Sequence, residues 1–178
     1  MRDVHALKPQ DILVLLKMLV WENRPFRLVD LAAELNLSQS EISLALERAK
    51  NSGLVDSSKR KPLATALAEF LIHGLKYAFP AKRGPLERGM PTAHSAPPLV
   101  ERIVSENHDQ YIWPTPEGNS RGQSVTPLYP SAPEAARKDP KLYEWLALLD
   151  ALRLGRARER KLAIQEIEKR LGPHRDSR

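Results

Sequence analysis

The chain has 178 residues, of which 42% are hydrophobic and 28% are charged, so it can bury a core and has the composition of an ordinary soluble protein. It contains no cysteine, which excludes disulfides, thiolate zinc sites and a cysteine nucleophile. The net charge of +6 favours an anionic partner such as nucleic acid.

Signals for membranes and for catalysis are missing from the sequence. No apolar run reaches the roughly 18 residues that a membrane span needs, and residues 1–5 lack the pattern of a signal peptide. We therefore expect a cytoplasmic protein with no membrane partner. The common phosphate-loop, dinucleotide, zinc-protease and serine-hydrolase motifs do not occur, and the five histidines lack the spacing of metal ligands. We predict no enzyme activity, no cofactor and no metal site.

Two amphipathic helices are predicted first, at residues 8–21 and 28–35. In each, apolar residues recur every three or four positions, which is the spacing of one buried helical face. Pro9 fits the first turn, where a missing backbone N–H costs nothing. The apolar positions are Ile12, Leu15, Leu16 and Leu19 in the first helix and Leu28, Leu31, Ala32 and Leu35 in the second.

A third helix, which ends near residue 51, is predicted after a three-residue turn. Ser38 is a good N-cap, and Glu41 three residues later gives a capping box. Gly53 supplies the left-handed residue that often ends a helix, and residues 54–56 are predicted to form a short strand. The inner face of the third helix consists of Ile42, Ala45, Leu46 and Ala49.

This order of helix, tight turn, capped helix, glycine and short strand is typical of winged-helix DNA-binding proteins. Residues 28–55, LVDLAAELNLSQSEISLALERAKNSGLV, resemble the DNA-binding unit of winged-helix regulators of the MarR-like kind. The resemblance implies that the third helix enters the major groove of a duplex. Since another helix is predicted at 63–78, soon after the strand, we expect the wing to be short or missing.

The outer face of the third helix is the predicted DNA-binding surface. Gln39, Ser40 and Ser43 lie near its N-terminus, where backbone N–H groups and the helix dipole attract phosphate. Gln39 and Ser43 suit base edges, Leu44 suits a thymine methyl group, and a carboxylate accepts from cytosine. Nearby basic side chains are suited to phosphates. The full predicted set is Ser38, Gln39, Ser40, Ser43, Leu44, Glu47, Arg48, Lys50, Lys59, Arg60 and Lys61.

Residues 80–133 hold 10 of the 15 prolines, which block helix interiors and remove backbone donors. We predict a mostly irregular segment with room for one short helix at 98–106. Its aromatic residues and its zero net charge are unlike those of a disordered linker. An ordered strap packed across a domain surface is therefore the prediction, and a flexible linker is the alternative.

Residues 134–178 are predicted to form a helical hairpin. Asp139 and Pro140 start its first helix as N-cap and first residue, Gly155 breaks or bends the helix, and the second helix spans 156–171. An apolar stripe on the first helix either forms a homodimer interface, packs within the chain or docks a partner protein. It consists of Leu142, Trp145, Leu146, Leu149 and Leu152. A basic cluster at the bend, suited to DNA or to an acidic partner, consists of Arg153, Arg156, Arg158, Arg160 and Lys161.

The predicted fold is mainly α: a winged helix-turn-helix domain with a reduced wing at 1–79, a proline-rich ordered strap at 80–133 and a C-terminal helical hairpin at 134–178. The predicted function is that of a transcriptional regulator, acting as a repressor, which binds double-stranded DNA as a homodimer. The alternative is a protein-interaction module, such as an antitoxin or an adaptor partner of an effector protein. The two functions are compatible, because an antitoxin can also bind its own operator.

Overall fold

The computed structural model describes residues 6–22, 24–103 and 109–172. Most of the assigned elements in these ranges are α-helices and the only sheet is small, so the predicted mainly α class is confirmed. No helix among them has the length and apolar character that crossing a membrane requires. The first three helices are α1 (Pro9–Val20), α2 (Leu28–Leu35) and α3 (Gln39–Asn51).

Helix α3 packs against α1 and α2 through the inner face that its sequence predicts. The four side chains of that face expose at most 3% of their surface. At the start of the helix, the N–H of Glu41 donates to Ser38 Oγ over 3.1 Å, as an N-cap does. The Glu41 carboxylate accepts instead from Gln10 and Arg48, so only one half of the predicted capping box forms.

The end of α3 is a Schellman motif. Gly53 has a φ of +71°, as predicted. The N–H of Leu54 donates to the Ala49 carbonyl over 2.9 Å, and the N–H of Gly53 donates to the Lys50 carbonyl over 3.0 Å. These bonds satisfy carbonyl groups that the helix end leaves open and turn the chain back toward the core.

A small hairpin, residues 54–63, follows α3. Its two arms are joined by one antiparallel bridge between Val55 and Pro62. Asp56 N–H donates to the Lys61 carbonyl and Leu63 N–H to the Leu54 carbonyl, each over 2.9 Å. The strand predicted at 54–56 is thus reduced to a single bridge at Val55.

The helix predicted at 63–78 is present but contains a π-helical turn. It consists of α4 (Ala64–Glu69), the π-turn (Phe70–Gly74) and α5 (Leu75–Ala78). Leu67, Leu71 and Leu75, spaced four apart, are fully buried. His73, in the π-turn, is exposed.

The middle segment is ordered in its described residues and contains three strands that were not predicted from the sequence. It forms β1 (Arg83–Thr92), β2 (Tyr111–Pro114) and β3 (Ser120–Val125). β1 pairs antiparallel with both other strands, which pair parallel with each other, so the three close on themselves. Strands tolerate proline at bulges and ends: Pro85 lies at the register shift of β1, and Pro114 ends β2.

The short helix predicted at 98–106 does not form over 98–103, where the chain makes successive turns instead. Hydrogen bonds such as Arg102 N–H to the Leu99 carbonyl, 2.9 Å long, close these turns. The remainder of that prediction, from residue 104, lies outside the described residues.

The C-terminal hairpin is confirmed as α7 (Pro140–Leu154) and α8 (Ala157–Leu171), joined at Gly155. Asp139 caps α7 by accepting from the N–H groups of Lys141 and Leu142, at 3.0 and 3.2 Å. A further helix, α6 (Ala132–Lys138), precedes them. The sequence did not predict it, because it is short and its apolar side is mainly alanine.

The apolar stripe of α7 is buried within the chain, each of its residues exposing 5% or less. It packs among α1, α5, α6, α8 and the sheet. These side chains belong to one hydrophobic cluster, which also contains the inner faces of α1 to α3. The stripe therefore fills the core of its own chain and is not available as a homodimer interface.

A buried carboxylate joins the sheet to α7. Thr92 Oγ1 and Trp113 Nε1 each donate to one oxygen of Asp150 over 2.7 Å. Arg153 donates to the other oxygen over 2.7 Å and to the Phe79 carbonyl over 2.8 Å. Burial raises the pKa of Asp150. Arg153 is therefore a structural residue of the core, and its predicted place in an exposed basic cluster is wrong.

Candidate nucleic-acid interface

Among the residues that the structure describes, nothing covers the outer face of α3. Gln39, Ser40 and Ser43 are exposed, and Leu44 and Glu47 are half-buried. The main contacts of α3 are with α1 and α2 on its opposite side. In the part of the chain that the structure describes, α3 makes no main contact with the sheet or the C-terminal helices, so the surface can be approached by a partner.

The serine residues at the start of α3 differ in what they bind. Ser38 Oγ caps the helix and also lies 3.0 Å from Ser40 Oγ. Within the described residues, no partner is recorded for the side chains of Gln39 and Ser43. Ser38 therefore fixes the helix start, whereas Gln39 and Ser43 are the polar groups presented to solvent.

Arg48 is not on the outer face, and its predicted contact with phosphate is wrong. Its side chain is 2% exposed. It donates from Nε and Nη2 to the Asp11 carboxylate, over 2.8 and 2.6 Å for the shortest bond of each, and from Nη2 to Glu41 over 2.5 Å. The Asp11 hydrogen bonds raise the pKa of Arg48, and burial only partly opposes them. A carboxylate on α1 thus draws this side chain inward.

The same ion-pair network fixes α3 against α1. Glu41 accepts from Arg48 and, over 3.0 Å, from Gln10 Nε2. Burial opposes ionisation of Glu41, but the bonds from Arg48 and Gln10 outweigh it and lower its pKa. Both Asp11 and Gln10 lie on α1, and Glu41 and Arg48 lie on α3, so four side chains from two helices set the orientation of the outer face.

Glu47 pairs with cations that were predicted to bind phosphate. One carboxylate oxygen contacts Lys59 Nζ of the hairpin, and the other lies 3.9 Å from Lys50 Nζ. The hydrogen bond from Lys59 lowers the pKa of Glu47, so the carboxylate is charged at neutral pH. The net charge of these three residues is +1.

The hairpin loop is held in shape by Asp56. Its Oδ1 accepts from the N–H groups of Arg60 and Lys61, over 2.7 and 2.8 Å, and its carbonyl accepts from Lys59 N–H over 2.9 Å. Burial opposes ionisation of Asp56, but the hydrogen bonds from Ser58, Lys61 and Arg60 lower its pKa. Lys59 has a φ of +59°. The three consecutive basic residues therefore have a defined backbone geometry.

Two arginines near this loop, Arg24 and Arg27, were not among the predicted DNA-binding residues. Arg60 donates to the Phe26 carbonyl over 2.7 Å and lies 5.0 Å from its ring centroid. Trp21 lies against Phe26, and Arg24 is 4.1 Å from the Trp21 centroid. Arg27, 79% exposed, pairs with Asp30. Alternation of aromatic and basic residues at 21–27 was the signal that could have identified them.

The other basic side chains do not form the patch predicted at the C-terminal bend. Arg156 pairs with Asp109 over 3.0 Å, and Arg160 is half-buried. Arg158 and Lys161 are exposed. Together with the burial of Arg153, this leaves a mixed surface in which two of the five predicted cations face solvent unpaired among the described residues.

Within the described residues, no group of three or more His, Asp or Glu side chains could hold a metal ion. Comparisons with protein-family models, with curated proteins and with solved structures find no match for the chain. The chemistry of the site therefore has to be inferred from the exposed face of α3 and the hairpin beside it.

Proposed function

We propose that the protein is a sequence-specific DNA-binding regulator of transcription, acting in the cytoplasm as a repressor without enzymatic activity. In this proposal α3 is the recognition helix of a MarR-like winged-helix unit, and the hairpin at 54–63 is its reduced wing. The observation that carries the proposal is the open polar face of a capped helix beside a structured basic loop.

Direct recognition of bases is assigned to the outer face of α3. The major groove is about 12 Å wide and admits an α-helix. Gln39 is suited to adenine and Ser43 to several bases, while Leu44 offers an apolar contact to a thymine methyl group. Ser38 holds the helix N-terminus in shape, and the N–H groups there favour a phosphate.

Phosphate contacts are assigned to the cations around that face. Lys50 and Lys61 come from α3 and the hairpin, Arg24 and Arg60 lie against the Trp21–Phe26 pair, and Arg27 follows Phe26 in the chain. Such contacts fix the register of a protein on a duplex without reading its sequence. Arg48 is assigned no contact with DNA, since it is committed to Asp11 and Glu41.

The expected homodimer remains part of the proposal, but not through the α7 stripe. A two-fold dimer matches a pseudo-palindromic site with half-sites one helical turn apart. Because the stripe fills the core of its own chain, any such contact uses another surface. Sedimentation of the protein alone and with a duplex measures the number of chains bound.

A gel shift with the DNA upstream of the protein's own gene tests the proposal. We expect a shift that weakens steeply between about 50 and about 200 mM salt, because phosphate contacts release counterions. Gln39→Ala with Ser43→Ala should remove the preference for that DNA, whereas Lys61→Ala with Arg24→Ala should weaken binding to all sequences. Equal loss on specific and random duplexes from the first pair would refute the assigned roles.

A protein partner, such as an effector neutralised by an antitoxin, is the second proposal. Tyr77 of α5 and Leu86 of β1 are 74% and 63% exposed, and both lie outside α3 and the hairpin. A protein bound there would leave the DNA-binding face free. Lack of any gel shift, together with a co-purifying protein lost from Tyr77→Ser, would favour this function over DNA binding.

A further inference from the structure

Glu47 is the one acidic residue on the proposed DNA-binding face of α3. Its side chain is 35% exposed and lies one helical turn beyond Ser43. A carboxylate at this position repels the phosphate backbone, so its presence among the cations of a DNA-binding surface requires an explanation. Its contacts supply one.

Glu47 joins the recognition helix to the hairpin through Lys59, which is 12 residues away along the chain. The backbone of Lys59 is fixed by its bond to the Asp56 carbonyl, and its ammonium group by Glu47. The second Glu47 oxygen faces Lys50 at 3.9 Å. One carboxylate therefore lies between two cations, each of which could otherwise pair with a phosphate.

Ion pairs that are partly exposed to water contribute little to stability. Lys59 can therefore exchange Glu47 for a phosphate at small cost when a duplex is docked closely enough. A duplex held only loosely by long-range attraction meets a loop whose charge is already partly neutralised. The contact between Glu47 and Lys59 therefore weakens the electrostatic attraction to DNA of any sequence.

We infer that Glu47 is a specificity-determining residue of the proposed interface, which suppresses sequence-independent binding by holding Lys59. The inference rests on the proposed function and adds a role for a residue that makes no base contact. Loss of the carboxylate frees Lys59 and leaves Lys50 less neutralised, while Gln39 and Ser43 remain in place to recognise bases.

The test is Glu47→Gln, with Glu168→Gln on the exposed side of α8 as a control of equal charge change. Binding to a specific and to a random duplex is measured by fluorescence anisotropy at several salt concentrations. We expect Glu47→Gln to bind the random duplex on the order of fivefold more tightly at about 50 mM salt. Its salt slope should steepen by about one, an extra loss of about fourfold on going to about 200 mM.

A second pair of variants isolates Lys59. Lys59→Met should weaken random binding less than Lys61→Met does, because only Lys61 is free of a carboxylate partner among the described residues. Glu47→Gln combined with Lys59→Met should return the salt slope close to that of the wild type.

The inference is overturned if Glu47→Gln behaves like Glu168→Gln. It is also overturned if Glu47→Gln weakens the specific duplex alone, since Glu47 would then contact a base. Failure of the wild type and of every variant to bind any duplex would refute the proposed function itself, and the inference with it. A rise in random binding with a lower ratio of specific to random affinity supports the inference.

Discussion

Charged side chains in the first three helices are used in two ways. Arg48 is buried against Asp11 and Glu41, whereas Lys61 lies at the surface of the hairpin. Breaking a buried ion pair lowers the stability of the protein, because the charged group that remains has neither its partner nor water to solvate it. The position of the proposed recognition surface depends on the first kind of residue, and its affinity depends on the second.

Replacement of Arg48 by methionine should therefore lower the free energy of unfolding by about 3–5 kcal/mol, because Asp11 would remain buried and unpaired. Urea denaturation followed by circular dichroism measures this. Lys50→Met, on the exposed side of the same helix, is the matched control and should change stability by less than about 0.5 kcal/mol. Similar stability of the two variants would contradict the buried role of Arg48.

We expect the stability of the protein at alkaline pH to depend on Tyr143. Its hydroxyl donates to the Pro91 carbonyl over 2.6 Å, and burial raises its pKa to about 12. The pKa of Tyr143 in the folded protein exceeds its value of about 10 in the unfolded chain. The neutral hydroxyl therefore makes its full contribution to the free energy of unfolding below about pH 10, and this contribution is lost as the pH rises toward 12.

Tyr143→Phe should cost about 1 kcal/mol at neutral pH through the lost hydrogen bond. It should also flatten the fall in stability above pH 10, as measured by urea denaturation at a series of pH values. Tyr77→Phe, at an exposed position, should leave both the neutral stability and the alkaline slope unchanged. An alkaline slope shared by wild type and Tyr143→Phe would show that the hydroxyl does not control it.

At the scale of elements, the two ends of α3 determine how its outer face is presented. Ser38 caps the first turn, and Gly53 reverses the chain so that Leu54 enters the core and the hairpin begins. A Cβ at Gly53 would meet nothing within 4 Å. Any cost of substitution there comes from the backbone conformation and not from a clash.

We expect Gly53→Ala to lower the free energy of unfolding by about 1 kcal/mol, since an alanine strains in the left-handed region. Gly53→Asn should cost less, because asparagine tolerates that conformation better. Thermal denaturation of both variants tests this. Equal losses would mean that the left-handed backbone is not the source of the effect.

Elements defined by local spacing were predictable from the sequence, and those defined by distant pairing were not. The apolar spacing of α1, α2, α3 and α7 is visible within a few turns, as are Ser38, Gly53 and Asp139 as caps. The strands were missed because their register pairs residues such as Met90 and Trp113 across the chain. The prolines of residues 80–133 exclude helix interiors but do not identify the strands.

The candidate site was predicted in part for the same reason. The outward direction of Gln39, Ser40 and Ser43 follows from 100° per residue. The burial of Arg48 depends on Asp11, 37 residues earlier, and the occupation of Lys59 depends on a contact between two elements. Helical periodicity identifies neither the partner of Arg48 nor that of Lys59, because several carboxylates of the chain could have formed each ion pair.

At the scale of the whole molecule, one ion-pair network joins the N-terminal helices to the C-terminal hairpin. Lys17 of α1 is 2% exposed and donates to Glu34 over 2.8 Å and to Asp139 over 2.7 Å. Asp139 is also the N-cap of α7. The segments 1–79, 80–133 and 134–178 contribute to one hydrophobic cluster, so we expect them to unfold together.

Lys17→Met should destabilise α3 and α7 by the same amount, on the order of 3 kcal/mol, because two carboxylates lose their buried partner. Native-state hydrogen exchange of the amides in both helices measures this. Lys141→Met, at an exposed lysine paired with Glu22, is the control. Loss of protection in α7 while α3 stays protected would mean that the halves are separate folding units.

Selection of binding sites from a pool of random duplexes measures whether the open face of α3 recognises a DNA sequence, as we propose. We expect the wild type to enrich one sequence motif and Gln39→Ala with Ser43→Ala, still folded, to enrich none. Enrichment of no motif by the wild type, or of the same motif by the double variant, would contradict the proposal.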